Sequence, residues 1–262
     1  MPCQPDDTGQ DPGQRCALRA LSETQGEGIW RMTRQPEQGL DFSMVIASTV
    51  HDMKNSLAML TQAHSEWQAK LSSQQRDTPE HGIIGYEFAN LNGMLVQLLG
   101  LYKLGVNQMP LRPDYHELDD FIEAQLAHHQ EVLASRGITA RCDIDNLSPL
   151  GFFDRELVGS VVGNIIVNAI GFAREQLVIS VGDEDGQLKI TINDDGPGYP
   201  AYLIDQQTDY VQGINQGSGS TGLGLYFAAH IARLHARGGM QGRIEIANGG
   251  VLGGAMFSIY LP

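Results

Sequence analysis

From Phe42 to Leu71 apolar residues recur at steps of three and four. They are Phe42, Ile46, Val50, Met53, Leu57, Leu60, Trp67 and Leu71, with His64 in the one polar place of the series. That spacing predicts a helix whose apolar seam packs in a coiled coil or bundle. Residues 72–81 are polar, contain Pro79 and read as a turn. A second seam follows at Ile84, Phe88, Leu91, Leu95, Leu98 and Leu101. A hairpin of two such helices cannot bury its apolar face alone. Two hairpins would form an antiparallel four-helix bundle, so a homodimer is expected, with packing on another domain of the same chain as the alternative.

Beyond Pro110 and Pro113, which bracket a linker, the period changes repeatedly. Glu117 to Ser135 reads as one helix, with Leu118, Phe121, Ile122, Leu126, His129 and Leu133 on a single face. Thr139–Ile144 alternates like a strand, and Asp154 is the expected N-cap of the next helix. Leu177–Val181 and Leu188–Ile192 flank Asp185-Gly186, a hairpin signal. Tyr226–His235 reads as a helix, and Arg243–Ala247 with Ala255–Tyr260 as a last strand pair. The fold class is α+β: a helical hairpin, then a sandwich of strands against helices. The expected division is a polar segment at 1–36, the helical hairpin at 37–108 and the mixed domain at 109–262.

Composition narrows the classes. The 262 residues give room for two modest domains. A formal net charge of −14 argues against a nucleic-acid surface, which needs clustered Lys and Arg. Cys3, Cys16 and Cys142 are widely spread, form no metal spacing and suit a reducing compartment. No run approaches 18 apolar residues, so no membrane span is expected and the cytoplasm is the expected location.

The chemistry-bearing residues fall in an ordered series. His51, Asp52 and Asn55 lie in the first seam; on a helix His51 and Asn55 share a face, with Asp52 on its flank. Asn164 and Asn168, again four apart, can present amide oxygens to a cation. Asp194 ends an apolar strand and opens Asp194-Asp195-Gly196-Pro197-Gly198, where a carboxylate leaving the core needs a partner. Gly217-Ser218-Gly219-Ser220-Thr221-Gly222-Leu223-Gly224-Leu225 is rich in glycine and leads into a helix, an arrangement that aims backbone N–H groups at phosphate. It has no Gly-Lys-Ser/Thr ending and so is not a Walker loop.

In this order and with these gaps, the motifs resemble those of bacterial two-component sensor histidine kinases, over roughly residues 40–262. The resemblance implies a dimerisation and histidine-phosphotransfer hairpin followed by an ATP-binding domain of the fold shared by gyrase, Hsp90 and MutL. It implies ATP and Mg²⁺ as cofactors and His51 as the phosphorylated residue, with Asp52 orienting the imidazole or accepting its proton. Asn55 would orient water in dephosphorylation of a partner. Asn168 would be the metal ligand with Asn164 nearby. Asp194 would accept from the adenine amino group beside Gly196 and Gly198. Gly219, Thr221, Gly222, Gly224 and Leu225 would meet phosphate. The implied partners are a second copy, a separate response-regulator receiver domain and a sensory partner in trans, since only about 35 to 40 polar residues precede the hairpin.

Three departures qualify the likeness. Ser56 follows Asn55 where the family usually has proline, Gly171 stands where it often has a basic residue, and the segment Ala201–Gln216 lacks the usual phenylalanine motif of the lid, with Tyr210 as a weak stand-in. They keep open a dimeric phosphotransfer or docking adaptor, or a phosphatase, with a degenerate nucleotide domain. A protein-serine kinase sharing the ATP fold would leave His51 and the heptad hairpin unexplained.

Overall fold

A computed structural model of the chain describes residues 42–71, 79–106, 108–144, 150–205 and 223–262. Two units are distinguished, Met1–Val45 and Ile46–Pro262; of the first, only Phe42–Val45 are described. Helix α1 runs Phe42–Gln68 and α2 Pro79–Gly105. Pro79 opens the second helix instead of lying in the turn. A fixed φ and a missing N–H suit a first helical position, where the donor has no partner anyway.

The two hairpin helices meet different fates. On α1, among the seam residues whose side chains are described, only Val50 and Leu57 are buried, and Met53, Leu60 and Trp67 are about half exposed. His64 lies among Trp67, His81 and Phe88, with ring centroids 5.9, 5.7 and 5.6 Å away. Helix α2 has a second face, marked by small residues. A Cβ on Gly82 would press on Ser135, one on Gly93 on Asn164, and one on Gly100 on Phe227. Gln97 is buried on that face, and Leu101 and Leu104 reach the main core. The glycines let α2 lie close against three helices of the mixed domain: α4 (Gln130–Ser135), α5 (Arg155–Phe172) and α7 (Leu223–Leu234).

The sheet has the order β2-β4-β5-β9-β8, formed by Thr139–Ile144, Gln176–Glu184, Gln187–Asp194, Ala255–Leu261 and Arg243–Asn248. Only β2–β4 is parallel. Asp185 and Gly186, at φ +56° and +78°, make the tight β4–β5 turn that their sequence predicts. Leu177, Ile179, Ile190, Ile192, Phe257 and Ile259 face the helices and are almost fully buried. They meet Phe121, Val162, Ile166 and Ile170 in one core. Burial of each such side chain stabilises the fold by about 1.5–3 kcal/mol.

The segment read as one helix is two, α3 (Leu118–His128) and α4, broken at His129. There the backbone sits at φ −106°, ψ 5°, and the ring Nδ1–H donates to the Gln125 carbonyl at 2.7 Å. A ribbon of β1 (Asp114–Glu117) with β3 (Leu150–Phe153) and a shorter one of β6 (Ala236–Arg237) with β7 (Met240–Gln241) complete the described elements, with α6 (Ala201–Asp205).

Asp154 joins several of these pieces. Its Oδ1 accepts from the N–H groups of Glu156 and Leu157, capping α5 as expected, and its Oδ2 accepts from Arg112 N at 2.8 Å. Its own N–H donates to His235 Nε2 at 3.0 Å, while His235 Nδ1–H donates to the Ile231 carbonyl at 2.8 Å. Both ring nitrogens are thus committed to a neutral tautomer. Burial pulls His235 below the ordinary histidine range, against the Ile231 carbonyl and the Asp154 charge.

Candidate functional site

A cavity of about 480 Å³ opens between α5, the end of β5 and the loop behind it, and the starts of α6 and α7. That is a usual size for a small-molecule site. Its walls are apolar and aromatic (Ile165, Phe172, Ile192, Tyr199, Tyr202, Phe257), with Asn168 and Asp194 among the few polar groups. Phe172 and Tyr202 remain 66% and 41% exposed, so flat apolar surface waits at the mouth.

Asp194 supplies the floor. It is 5% exposed, and its Oδ1 accepts both from Gly196 N at 2.8 Å and from Ala255 N at 3.1 Å. Oδ2 has no hydrogen bond among the described residues. Burial pushes the carboxyl above the ordinary aspartate range. The two backbone donors oppose that, and the charge of Asp195 adds to it. An acceptor of this kind, half satisfied at the base of an apolar cavity, suits an N–H donor on a flat heterocycle. Asp195 has a different task. Burial works against its charge, but the N–H groups of Arg174, Glu175 and Gln176 outweigh this and hold it below its ordinary range, fastening the turn after α5.

The glycines of this loop serve the protein's own contacts. A Cβ on Gly196 would strike the Phe172 carbonyl and Asp194 Oδ1. Gly198, at φ +84°, would carry its Cβ to within 2.7 Å of the Asn248 amide. From the far side, a Cβ on Gly254 would come within 2.6 Å of both Asp194 Oδ1 and Gly196 N.

Asn168 is exposed between the buried Val167 and Ala169 of α5, and it lines the cavity. Asn164 does not line it. Its amide is held one turn back, where Cβ atoms on Gly93 of α2 and Gly224 of α7 would stand 3.2 and 2.9 Å from it. Gly224 and Leu225 do line the cavity, while Gly219, Thr221 and Gly222 lie outside the described residues, as does Tyr210. At Gly171 a Cβ would collide with the Tyr86 hydroxyl of α2, so this position receives a tyrosine instead of presenting a cation. Among the described residues no group of three or more His, Cys, Asp or Glu could hold a metal. The oxygen donor of Asn168 fits a hard cation whose remaining ligands are phosphate oxygens and water, as Mg²⁺ prefers.

The second constellation lies on α1. His51 and Asp52 are 66% and 77% exposed. Asn55 Nδ2 is 3.2 Å from His51 Nδ1, and Asp52 Oδ1 is 3.9 Å from the same nitrogen. Asp52 is therefore an electrostatic neighbour beyond hydrogen-bond reach. Turning the Asn55 amide over would place Oδ1 against Nδ1–H and leave the Nε2 lone pair facing outward, since amide N and O are interchangeable in shape.

Sequence reading did not single out Phe172, Tyr199, Tyr202, Asn248 or Gly254. The proline-bounded Tyr199 and the Gly-Gly pair at 253–254 carried a signal, but their meeting with Asp194 needs the sheet register.

Among the described helices one, α5, is long and apolar enough to cross a membrane by length and composition, and half of that stretch is buried inside the fold.

Residues 153–262 match the family described as histidine kinase-, DNA gyrase B-, and HSP90-like ATPase. The chain is 27% identical over 258 residues to the signal transduction histidine-protein kinase AtoS of Escherichia coli, covering 94% of this chain and 38% of that protein. It is 22% identical to the adaptive-response sensory kinase SasA of Microcystis aeruginosa, covering 79% and 58%. The chain thus spans only part of the curated relatives it matches. Among solved structures, full-length ShkA in complex with AMPPNP aligns with a TM-score of 0.57 at 19% identity, covering 84% of this chain and 46% of that one. The histidine kinase AdeS of Acinetobacter baumannii aligns at 0.50 and 19%, covering 80% and 96%. The ATPase-like domain at residues 153–262 implies ATP binding, and the chain as a whole is similar to sensor histidine kinases.

Proposed function

We propose that this chain is an ATP-dependent protein-histidine kinase that phosphorylates its own His51 and passes the group to an aspartate on a separate receiver protein. The observation that carries this reading is buried Asp194, which lines an apolar cavity with its Oδ2 unbonded among the described residues, in a chain that also exposes an imidazole with its Nδ1 engaged.

Asp194 Oδ2 would accept from the exocyclic amine of adenine, with the aromatic walls against the base. Guanine has a carbonyl at that position and would face the carboxylate with an acceptor. Asn168 would hold Mg²⁺ together with the phosphates, and the metal would supply charge neutralisation there. The start of α7 would offer its first backbone N–H groups to phosphate. His51 Nε2 forms the new bond to the γ-phosphorus as the bond to the β,γ-bridging oxygen breaks, so that ADP leaves. Asn55 Oδ1 fixes the tautomer by accepting from Nδ1–H. Asp52 stabilises the imidazolium that forms and takes up the ring proton through solvent.

The half-exposed Met53, Leu60 and Trp67 of α1 and Leu91 and Leu98 of α2 favour a homodimer through a four-helix bundle. His51 would remain at the edge of that seam, open to a receiver domain, and Asn55 would orient water in the reverse dephosphorylation. Activity is placed in the cytoplasm, where ATP is at hand, with the input signal coming from a partner.

The test is autophosphorylation with His51→Gln and Asp194→Asn. The first should bind ATP and accept no phosphate. The second should do neither, and unchanged nucleotide binding by it would sink the adenine assignment.

A further inference from the structure

The turn between β8 and β9 packs against the Asp194 loop of the cavity although it lies some fifty residues from that loop in sequence. Asn248, the last residue of β8, meets the backbone of Tyr199 twice. Its Oδ1 accepts from Tyr199 N at 2.6 Å, and its Nδ2 donates to the Tyr199 carbonyl at 2.8 Å. Those two bonds fix which end of the amide is which. The pairing reproduces with one side chain what a neighbouring strand does with a peptide. It requires the absence of a side chain at Gly198, where a Cβ would stand 2.7–3.0 Å from the Asn248 amide, and it uses the left-handed backbone there. The turn closes on itself through Gly249 N to the Gly254 carbonyl and Gly253 N to the Gly250 carbonyl, both at 2.9 Å. It then returns to Asp194: Gly254 N donates to the Asp194 carbonyl and Ala255 N to its Oδ1, each at 3.1 Å. One turn therefore holds both the carboxylate and, through Asn248, the aromatic wall beside it.

We infer that Asn248 is a positioning residue for adenine: it fixes Gly198 and Tyr199 relative to Asp194, so that base stacking and the carboxylate contact are available together. Neither Asp nor Ser can replace it in full, because the pairing needs an acceptor and a donor on one planar group. Asp194 and Asn248 act on the same ligand from the two sides of one loop. The inference rests on the ATP reading above.

The experiment measures, on the full chain, the ATP dependence of His51 phosphorylation and the direct binding of a non-hydrolysable ATP analogue with Mg²⁺. Asn248→Ala should raise KM for ATP and the Kd for the analogue together, about tenfold, with the rate at saturating ATP falling far less. Asn248→Asp keeps the acceptor for Tyr199 N and loses the donor; it should show the same rise, and it serves where the alanine variant does not fold. A residue that merely holds the fold together would lower the thermal midpoint and the active fraction with KM unmoved, and that result overturns the assignment. Wild-type protein that fails to bind the analogue would overturn the ATP reading itself, which separates the two failures.

Discussion

Two aspartates at opposite ends of helix α5 are buried alike and used differently. Asp154 and Asp194 are 6% and 5% exposed. Asp154 spends Oδ1 on two helix donors and Oδ2 on Arg112, so both of its oxygens are bonded within the fold. Asp194, which lines the cavity, takes two backbone donors on a single oxygen and leaves the other unbonded among the described residues. A buried carboxylate with every oxygen bonded is a fastening. One with an oxygen in reserve is a receptor, and the protein bears the cost of holding its charge until a donor arrives. Helix α5 links them: Asp154 caps its start, and the carbonyl of Phe172, its last residue, lies against Gly196 of the Asp194 loop.

The sharpest way to break this contrast is to remove each carboxylate in turn. Asp154→Ala should destabilise the fold by about 3 kcal/mol, since it loses the helix cap and strands the Arg112 N–H. Urea unfolding would read that, and molecules that remain folded should keep their nucleotide affinity. Asp194→Asn should weaken binding of an ATP analogue about a hundredfold, because the amide can meet the adenine amine with a donor. Its thermal midpoint should hold or rise, because no charge is now buried. A large loss of stability in this variant would make Asp194 a second fastening.

Acid should separate the two ends further. His235 and His129 are held below their ordinary range, first by burial. Each therefore contributes stability that is fully present above about pH 6.5, the unfolded value, and is lost as pH falls through the folded value. Asp194 is shifted the other way: the folded state favours its protonated form, so acid relieves a cost there while removing the acceptor. Stability and ATP affinity should both fall with pH, but only the stability slope should flatten in His235→Gln. The smallest effect belongs to the last turn of α5. Gly171→Ala puts a methyl against the Tyr86 hydroxyl and should cost about 1 kcal/mol, largely recovered by adding Tyr86→Phe.

Much of this was legible in the sequence wherever the signal is local. The Asp154 cap, the Asp185-Gly186 turn, both hairpin helices and the strand ending at Asp194 depend on neighbours within a few residues. What escaped is non-local. The ribbon pairing Asp114–Glu117 with Leu150–Phe153 is made of four-residue strands too short to show a period. The break at His129 interrupts a stripe whose apolar spacing continues across it. The second face of α2 was hidden because glycine carries no hydropathic signal; Gly82, Gly93 and Gly100 acquire meaning only from Ser135, Asn164 and Phe227 opposite them. For the same reason the site motifs pointed to Asp194, Gly196 and Gly198 but not to Asn248, whose role depends on strand register.

The most direct test of the central claim is incubation of the purified chain with γ-labelled ATP and Mg²⁺, followed by acid and base treatment of any labelled protein. A phosphohistidine at residue 51 gives label that survives base, is lost in acid and is absent from both His51→Gln and Asp194→Asn. An unlabelled wild-type protein that nonetheless binds ATP would contradict it, as would acid-stable label that persists without His51.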